Sequence, residues 1–153
     1  MRFAPQEIRT YFVTSVTAQR HRLFQVCANA ELLQRTIFDY RDQGRFQLNA
    51  FVIMPDHFHA VLTPAPEVSL EKAVQFIKGG SSFHLKSKSD VWMRSFNQTQ
   101  ILSEEKYAAI VQYIEQNPVR RGLAHIATEY AYSSAKYQEL DPMPEHLRKA
   151  IRA

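Results

Sequence analysis

The chain has 153 residues, 45% of them hydrophobic and 22% charged, with a formal charge of +4; this is the profile of one ordinary globular domain with room for a core. Its single cysteine, Cys27, excludes an internal disulfide framework and a cysteine-based zinc site, and fits a reducing, cytoplasmic setting. No apolar run approaches the roughly 18 residues of a membrane span, the N-terminus has no signal-peptide core, and the basic balance permits a polyanionic partner without demanding one.

Taken in chain order, residues 9–17 are β-branched and aromatic and predict a first strand. Residues 28–43 predict a helix, with Leu32, Leu33, Thr36 and Ile37 as its stripe and Gly44 as its stop. Two strands, 46–54 and 58–63, flank a turn-like Pro55 and Asp56, and the second stops at Pro64. Ser69 is the N-cap of a second helix carrying Leu70, Ala73, Val74 and Ile77, and Gly79 and Gly80 are expected to break it. Residues 91–102 hold a short fourth strand whose register the pattern leaves open. Ser103 opens the clearest helix, with Glu104 and Glu105 at its positive end and Tyr107, Ile110, Val111 and Ile114 as its stripe. Asn117 and Pro118 are expected to close it, because a residue before proline avoids the α region. The order β-α-β-β-α-β-α, with hairpin-joined strands, predicts an α+β fold: an antiparallel sheet covered by helices. One domain is expected over residues 1–153, with a peripheral tail from about residue 139.

The stretch "MPDHFHAVL", residues 54–62, sets two histidines inside an apolar strand. Alternation puts His57 and His59 on one face with Val61, and Phe58, Ala60 and Leu62 on the other. Burying two unpartnered imidazoles costs several kcal/mol, on the order of a lost hydrogen bond or more for each. A metal or a hydrogen-bonded anion would remove that cost, and imidazole accepts zinc, manganese, iron or nickel. Two ligands complete no site, so further donors must come from elsewhere.

The stretch "YIEQNPVRRGLA", residues 113–124, supplies candidates. Tyr113 and Asn117 lie four apart on one helix face, beside the apolar stripe. Alone they read as an edge-of-core aromatic and a helix terminator. Beside the histidines, they also read as a nucleophile and a third metal ligand.

Together, "FVIMPDHFHAVLTP" and "YIEQNPVRRGLA" closely resemble the two signatures of the single-tyrosine HUH transposases, in the branch that includes the REP-associated tyrosine transposases. The segments "VSLEKAVQFIKGGSSFHL", "VWMRSFNQTQILSEEKY" and "YAYSSAKYQE" are similar to that family's connecting regions, so the likeness spans about residues 10–138. The resemblance implies a ferredoxin-like fold with the His-x-His pair on a central strand. It implies that Tyr113 matches the nucleophile, that His57 and His59 match the metal ligands, and that Asn117 stands where relatives place a third, glutamine-type ligand. The implied cofactor is a divalent metal, Mg²⁺ or Mn²⁺. The implied partner is single-stranded DNA with hairpin or palindromic repeats, joined through a covalent 5′-phosphotyrosine intermediate, with the protein a monomer or homodimer. One departure stands out. Many relatives carry an Asp-His pair where Asn97, Gln98, Thr99 and Gln100 follow Phe96 here, which opens an alternative: a non-catalytic or exapted hairpin-DNA-binding domain of the same fold.

The cationic candidates for DNA are Arg20, His21, Arg22, Lys78, Lys86, Lys88, Arg94, Arg120 and Arg121. Lys78 and Arg94 are favoured because they lie in segments that bracket the site in the resemblance, and Arg120 and Arg121 complete the expected DNA-binding set. Phe83, Trp92 and Phe96 are candidate base-stacking rings. A histidine-triad hydrolase is disfavoured, since its third alternate position is Val61 here.

Overall fold

The structure, a computed structural model, describes residues 6–137 and 140–148. Its elements are β1 (Thr10–Val16), α1 (Cys27–Asp42), β2 (Phe46–Met54), β3 (His57–Pro64), α2 (Leu70–Leu85), β4 (Asn97–Ile101) and α3 (Glu104–Arg120), joined by single 3₁₀ turns and loops. This is the predicted order, and the fourth strand falls at the end of its predicted window. All strand pairs are antiparallel and the sheet order is β2-β3-β1-β4, the ferredoxin-like arrangement with β3 and β1 at the centre.

Every residue of β3 is buried because both its edges and both its faces are covered. On one face Phe58, Ala60 and Leu62 meet Leu33 and Ile37 of α1 and Val74 and Ile77 of α2. On the other, Val61 lies in a smaller cluster with Val52, Met54, Ile101 and Ile114 beneath α3. The sheet is therefore the middle of three layers, and the strand alternation assigns the histidines to the α3 side. A bulge between Leu48 and Ala50 reverses the phase of β2. It sends Leu48 into the α1/α2 core while Ala50 enters the α3 cluster.

The outer edge of β2 is covered by the C-terminal segment. Ile53 N–H donates to Tyr132 O at 2.8 Å, and Leu48 N–H donates to the Asp141 carboxylate at 2.8 Å. Asp141 is also paired with Arg41 of α1 at 2.9 Å, and Leu147 is buried in the α3-side cluster. Covering an edge in this way removes a row of unpaired backbone groups.

Two predicted helix ends are corrected. Gly79 and Gly80 do not break α2, which continues to Leu85. A Cβ on Gly80 would lie 3.0 Å from the Tyr40 ring and 3.1 Å from Thr36, so this glycine permits the close approach of α2 to α1. Asn117 and Pro118 do not close α3 either; Pro118 sits inside the helix, which ends at Arg120. Proline there removes one donor only, and the exit is stabilised by Arg121 N–H on Asn117 O (3.0 Å) and Leu123 N–H on Pro118 O (2.8 Å). Gly122, at φ +73, supplies the left-handed residue that stops the chain.

Candidate active site

The two-residue turn of Pro55 and Asp56 returns the chain so that Met54 pairs with His57 and Val52 with His59. On the other side, His57 pairs with Val16 and His59 with Thr14 of β1. The imidazole centroids are 4.7 Å apart and steeply inclined, and both residues are 8% exposed. Each ring has a partner at Nδ1. His57 Nδ1 lies 2.7 Å from Asp56 Oδ1, and His59 Nδ1 lies 2.7 Å from Thr14 Oγ1. A carboxylate only accepts, so the proton between His57 and Asp56 belongs on Nδ1, and in the neutral ring the Nε2 lone pair is free. The corresponding tautomer of His59, donating to the threonine hydroxyl, frees its Nε2 as well. Engaging one ring nitrogen to aim the other is how metal-binding histidines are oriented.

Electrostatics favour the neutral, ligating form of His59. Burial pushes its pKa down to about 3, and the charges of His57, Arg121 and Arg120 act in the same direction. For Asp56, burial alone would raise the pKa, but the hydrogen bond from His57 and the charges of His57 and Arg20 outweigh it and hold the carboxyl below its usual value. The His59 shift carries a stability consequence in metal-free protein. The unfolded residue titrates near 6.5 and the folded one near 3, so between these values the unfolded chain binds the extra proton. Its contribution is complete above about pH 6.5 and is lost as pH falls, with a limiting slope of about 1.4 kcal/mol per pH unit. Urea unfolding in chelator should show stability falling from pH 6.5 to 5, above the range where carboxylates dominate. His59→Gln should flatten that window; an unchanged slope in the variant would refute the assignment.

Tyr113 projects from α3 over this face and is 46% exposed. Its ring centroid is 5.8 Å from that of His59 and 6.2 Å from that of Phe12. Arg120 folds back over it: the guanidinium carbon is 4.4 Å from the ring centroid, and Nη2 donates to Tyr113 O at 2.7 Å. Asn117, one turn on, is 3% exposed and its side-chain amide makes no hydrogen bond to another described residue. Among the described residues no third His, Cys, Asp or Glu completes a metal-holding group. Asn117 follows Tyr113 by four residues on α3, buried where the tyrosine is half-exposed.

The remaining sequence candidates are placed differently from one another. Arg120 and Arg121 are exposed at the end of α3. Arg94 is exposed in the segment before β4, which is anchored by Met93 N–H on Val16 O at 2.9 Å, at the His57 end of the sheet. Lys78 is 9% exposed; its Nζ donates to Met93 O (2.7 Å) and Arg94 O (3.3 Å), and burial lowers its pKa. Trp92 is a core residue, stacked on Phe24 at 5.4 Å with Nε1 donating to Ser81 at 3.0 Å. Phe96 is half-buried in the same core, whereas Phe83 is 78% exposed. Sequence reasoning missed Asp56 and Thr14 as partners of the histidines. Asp56 was detectable as a carboxylate adjoining His57; Thr14 becomes visible only through strand register.

A buried histidine pair thus lies on a central strand of this sheet, faced by a half-exposed tyrosine on α3. The family model for IS200-like transposases matches residues 7–117, and the chain belongs to that family, whose members process DNA. It is 25% identical to the REP-associated tyrosine transposase of Escherichia coli K12 over 126 residues, covering 82% of this chain and 75% of that protein. The structure of a REP-associated tyrosine transposase bound to a REP hairpin superposes with a TM-score of 0.71 at 19% identity, covering 100% of this chain and 98% of the other. A proposed transposase from Deinococcus radiodurans R1 superposes with a TM-score of 0.54 at 27% identity, covering 76% of this chain and 95% of that one. Among the described residues no helix is long and apolar enough to cross a membrane.

Proposed function

We propose that residues 1–153 form one catalytic domain that cleaves and rejoins single-stranded, hairpin-bearing DNA in the cytoplasm through a 5′-phosphotyrosine intermediate on Tyr113. The observation that carries this is the convergence of two aimed imidazoles and an accessible phenol on one face of the sheet. His57 and His59 present Nε2 lone pairs and Asn117 an amide oxygen, a mixed nitrogen and oxygen set suited to Mg²⁺ or Mn²⁺. When bound, such an ion supplies positive charge beside the scissile phosphate.

The chain's own residues do the rest. The Tyr113 oxygen bonds to phosphorus as the bond to the DNA 3′-oxygen breaks, and the proton lost by the phenol is balanced by one gained at the 3′-hydroxyl. Phenoxide leaves more readily than an alkoxide, so the ester stays available for a later 3′-hydroxyl. Arg120, over the tyrosine ring, and Arg121 draw the phosphate towards the nucleophile, and Arg94 contacts the strand at the His57 end. In this proposal Lys78 serves the DNA by holding the backbone of Met93 and Arg94, where its ammonium is engaged.

The test is incubation with hairpin-bearing single-stranded DNA and Mn²⁺, followed by denaturing electrophoresis. A shifted protein–DNA band supports the enzyme; retardation on a native gel without that band would assign the chain to hairpin binding alone. For Asn117, Asn117→Ala should raise the Mn²⁺ concentration needed for cleavage by about tenfold or more, the scale seen when a site loses a supporting oxygen. Asn117→Asp, which keeps an oxygen in place, should retain metal binding. Superimposable cleavage curves against Mn²⁺ for all three proteins would remove Asn117 from the ligand set.

A further inference from the structure

The connection after β1 contains a turn that its sequence does not favour. Gln19 (φ 56, ψ 20) and Arg20 (φ 53) are both left-handed, and His21 N–H donates to Ala18 O at 3.2 Å. Two successive positive φ values define a type I′ turn, a conformation that glycine and asparagine adopt readily and other residues resist. The turn is held by its surroundings. Ala18 N–H donates to Val91 O at 2.9 Å, Thr17 Oγ1 donates to His21 O at 2.7 Å, and the Thr17 N–H donates to Asp56 O at 2.9 Å.

What the strained turn delivers is one guanidinium. Arg20 Nη1 lies 3.4 Å from Asp56 Oδ2, with the arginine side chain 68% exposed. An ion pair that long and that exposed contributes little to stability, and Thr17 already ties the turn to the β2–β3 hairpin without it. Yet Arg20 occupies one carboxylate oxygen while His57 Nδ1 occupies the other, at 2.7 Å. The two groups thus address different oxygens of one carboxylate, and the orientation that faces both is the one that aims Oδ1 at His57. Backbone strain retained beside a functional group, with little stability returned by the ion pair, points to that group.

We infer that Arg20 is a positioning residue of the metal site, acting through Asp56 to aim the imidazole of His57. The inference rests on the metal reading proposed above and adds to it a chain of command from turn to carboxylate to ligand. Because Arg20 faces the carboxylate oxygen that His57 does not, it acts on the ligand through Asp56 and not by contact with the imidazole.

Mn²⁺ titration of the full chain by calorimetry, without DNA, tests this. Asp56→Ala should weaken Mn²⁺ binding by about ten- to a hundredfold, as loss of an orienting partner typically does, and Arg20→Asn by roughly three- to tenfold. Asparagine tolerates the left-handed turn, so the metal-free melting temperature of Arg20→Asn should stay equal or rise while its affinity falls. The double variant should bind no more weakly than Asp56→Ala alone, since Arg20 works through that carboxylate. Parental affinity in Arg20→Asn, a further loss in the double variant, or a melting temperature that falls together with affinity would each overturn the inference. Failure of the parent chain itself to bind Mn²⁺ would instead remove the metal reading on which it stands.

Discussion

Tyr113→Phe will bind hairpin DNA as the parent chain does and will form no covalent adduct. The change removes a single oxygen from a residue that is 46% exposed, so the ring contacts with His59, Phe12 and Arg120 persist. Stability should move by less than about 0.5 kcal/mol, the range for substitutions outside the core. The loss of adduct should be complete because the substitution removes the phenol oxygen that bonds to phosphorus. The nearest rivals by sequence, Tyr107 and Tyr130, are poor substitutes. Burial pushes each phenol up to about 12, and the Tyr130 hydroxyl already donates to Ile53 O at 2.6 Å. Denaturing electrophoresis and a binding isotherm on the same preparation measure both halves of the prediction; an adduct of parental yield would transfer the nucleophile to another residue.

Replacing either histidine with alanine should abolish cleavage, and chelator should reproduce the loss in the unmodified protein. The two variants should differ in fold. His59 sits between Phe12 and Tyr113 and satisfies Thr14; its truncation leaves a cavity and an unpaired hydroxyl, with an expected loss of about 2–4 kcal/mol. His57→Ala leaves the Asp56 carboxylate with Arg20 and water, and a loss of about 1–2 kcal/mol is expected from one charge-assisted bond. Denaturant melts separate these stability effects from activity. His57→Gln and His59→Gln, which keep volume and a hydrogen bond, should restore much of the stability and none of the cleavage. Full activity in excess chelator would dispose of the metal assignment.

Much of this site is legible in the amino-acid sequence alone. The alternation of β3 assigns His57 and His59 to one face because a strand has a period of two residues, and Val61 shares their side in the folded protein. The four-residue spacing of Tyr113 and Asn117 similarly survives, because Pro118 fails to end the helix. That failure, like the continuation of α2 through Gly79 and Gly80, reflects packing that local rules do not contain. A helix tolerates one lost donor near its end, and Gly80 is required where Tyr40 and Thr36 approach. The partners that aim the histidines are hidden for another reason. Thr14 reaches His59 through cross-strand register over 45 positions of sequence separation, and Lys78 turns inward because two backbone carbonyls of a distant loop await it.

Esterification of Tyr113 to a DNA 5′-phosphate can be read from the protein itself after reaction with hairpin-bearing single-stranded DNA and Mn²⁺, digestion of the product with nuclease and protease, and location of the nucleotide by tandem mass spectrometry. One modified peptide is expected, carrying a nucleotide through its 5′-phosphate on Tyr113, together with a DNA fragment ending in a free 3′-hydroxyl. A nucleotide on Tyr107 or Tyr130, or cleaved DNA with a free 5′-phosphate and no modified peptide, would place the chemistry elsewhere and refute the assignment.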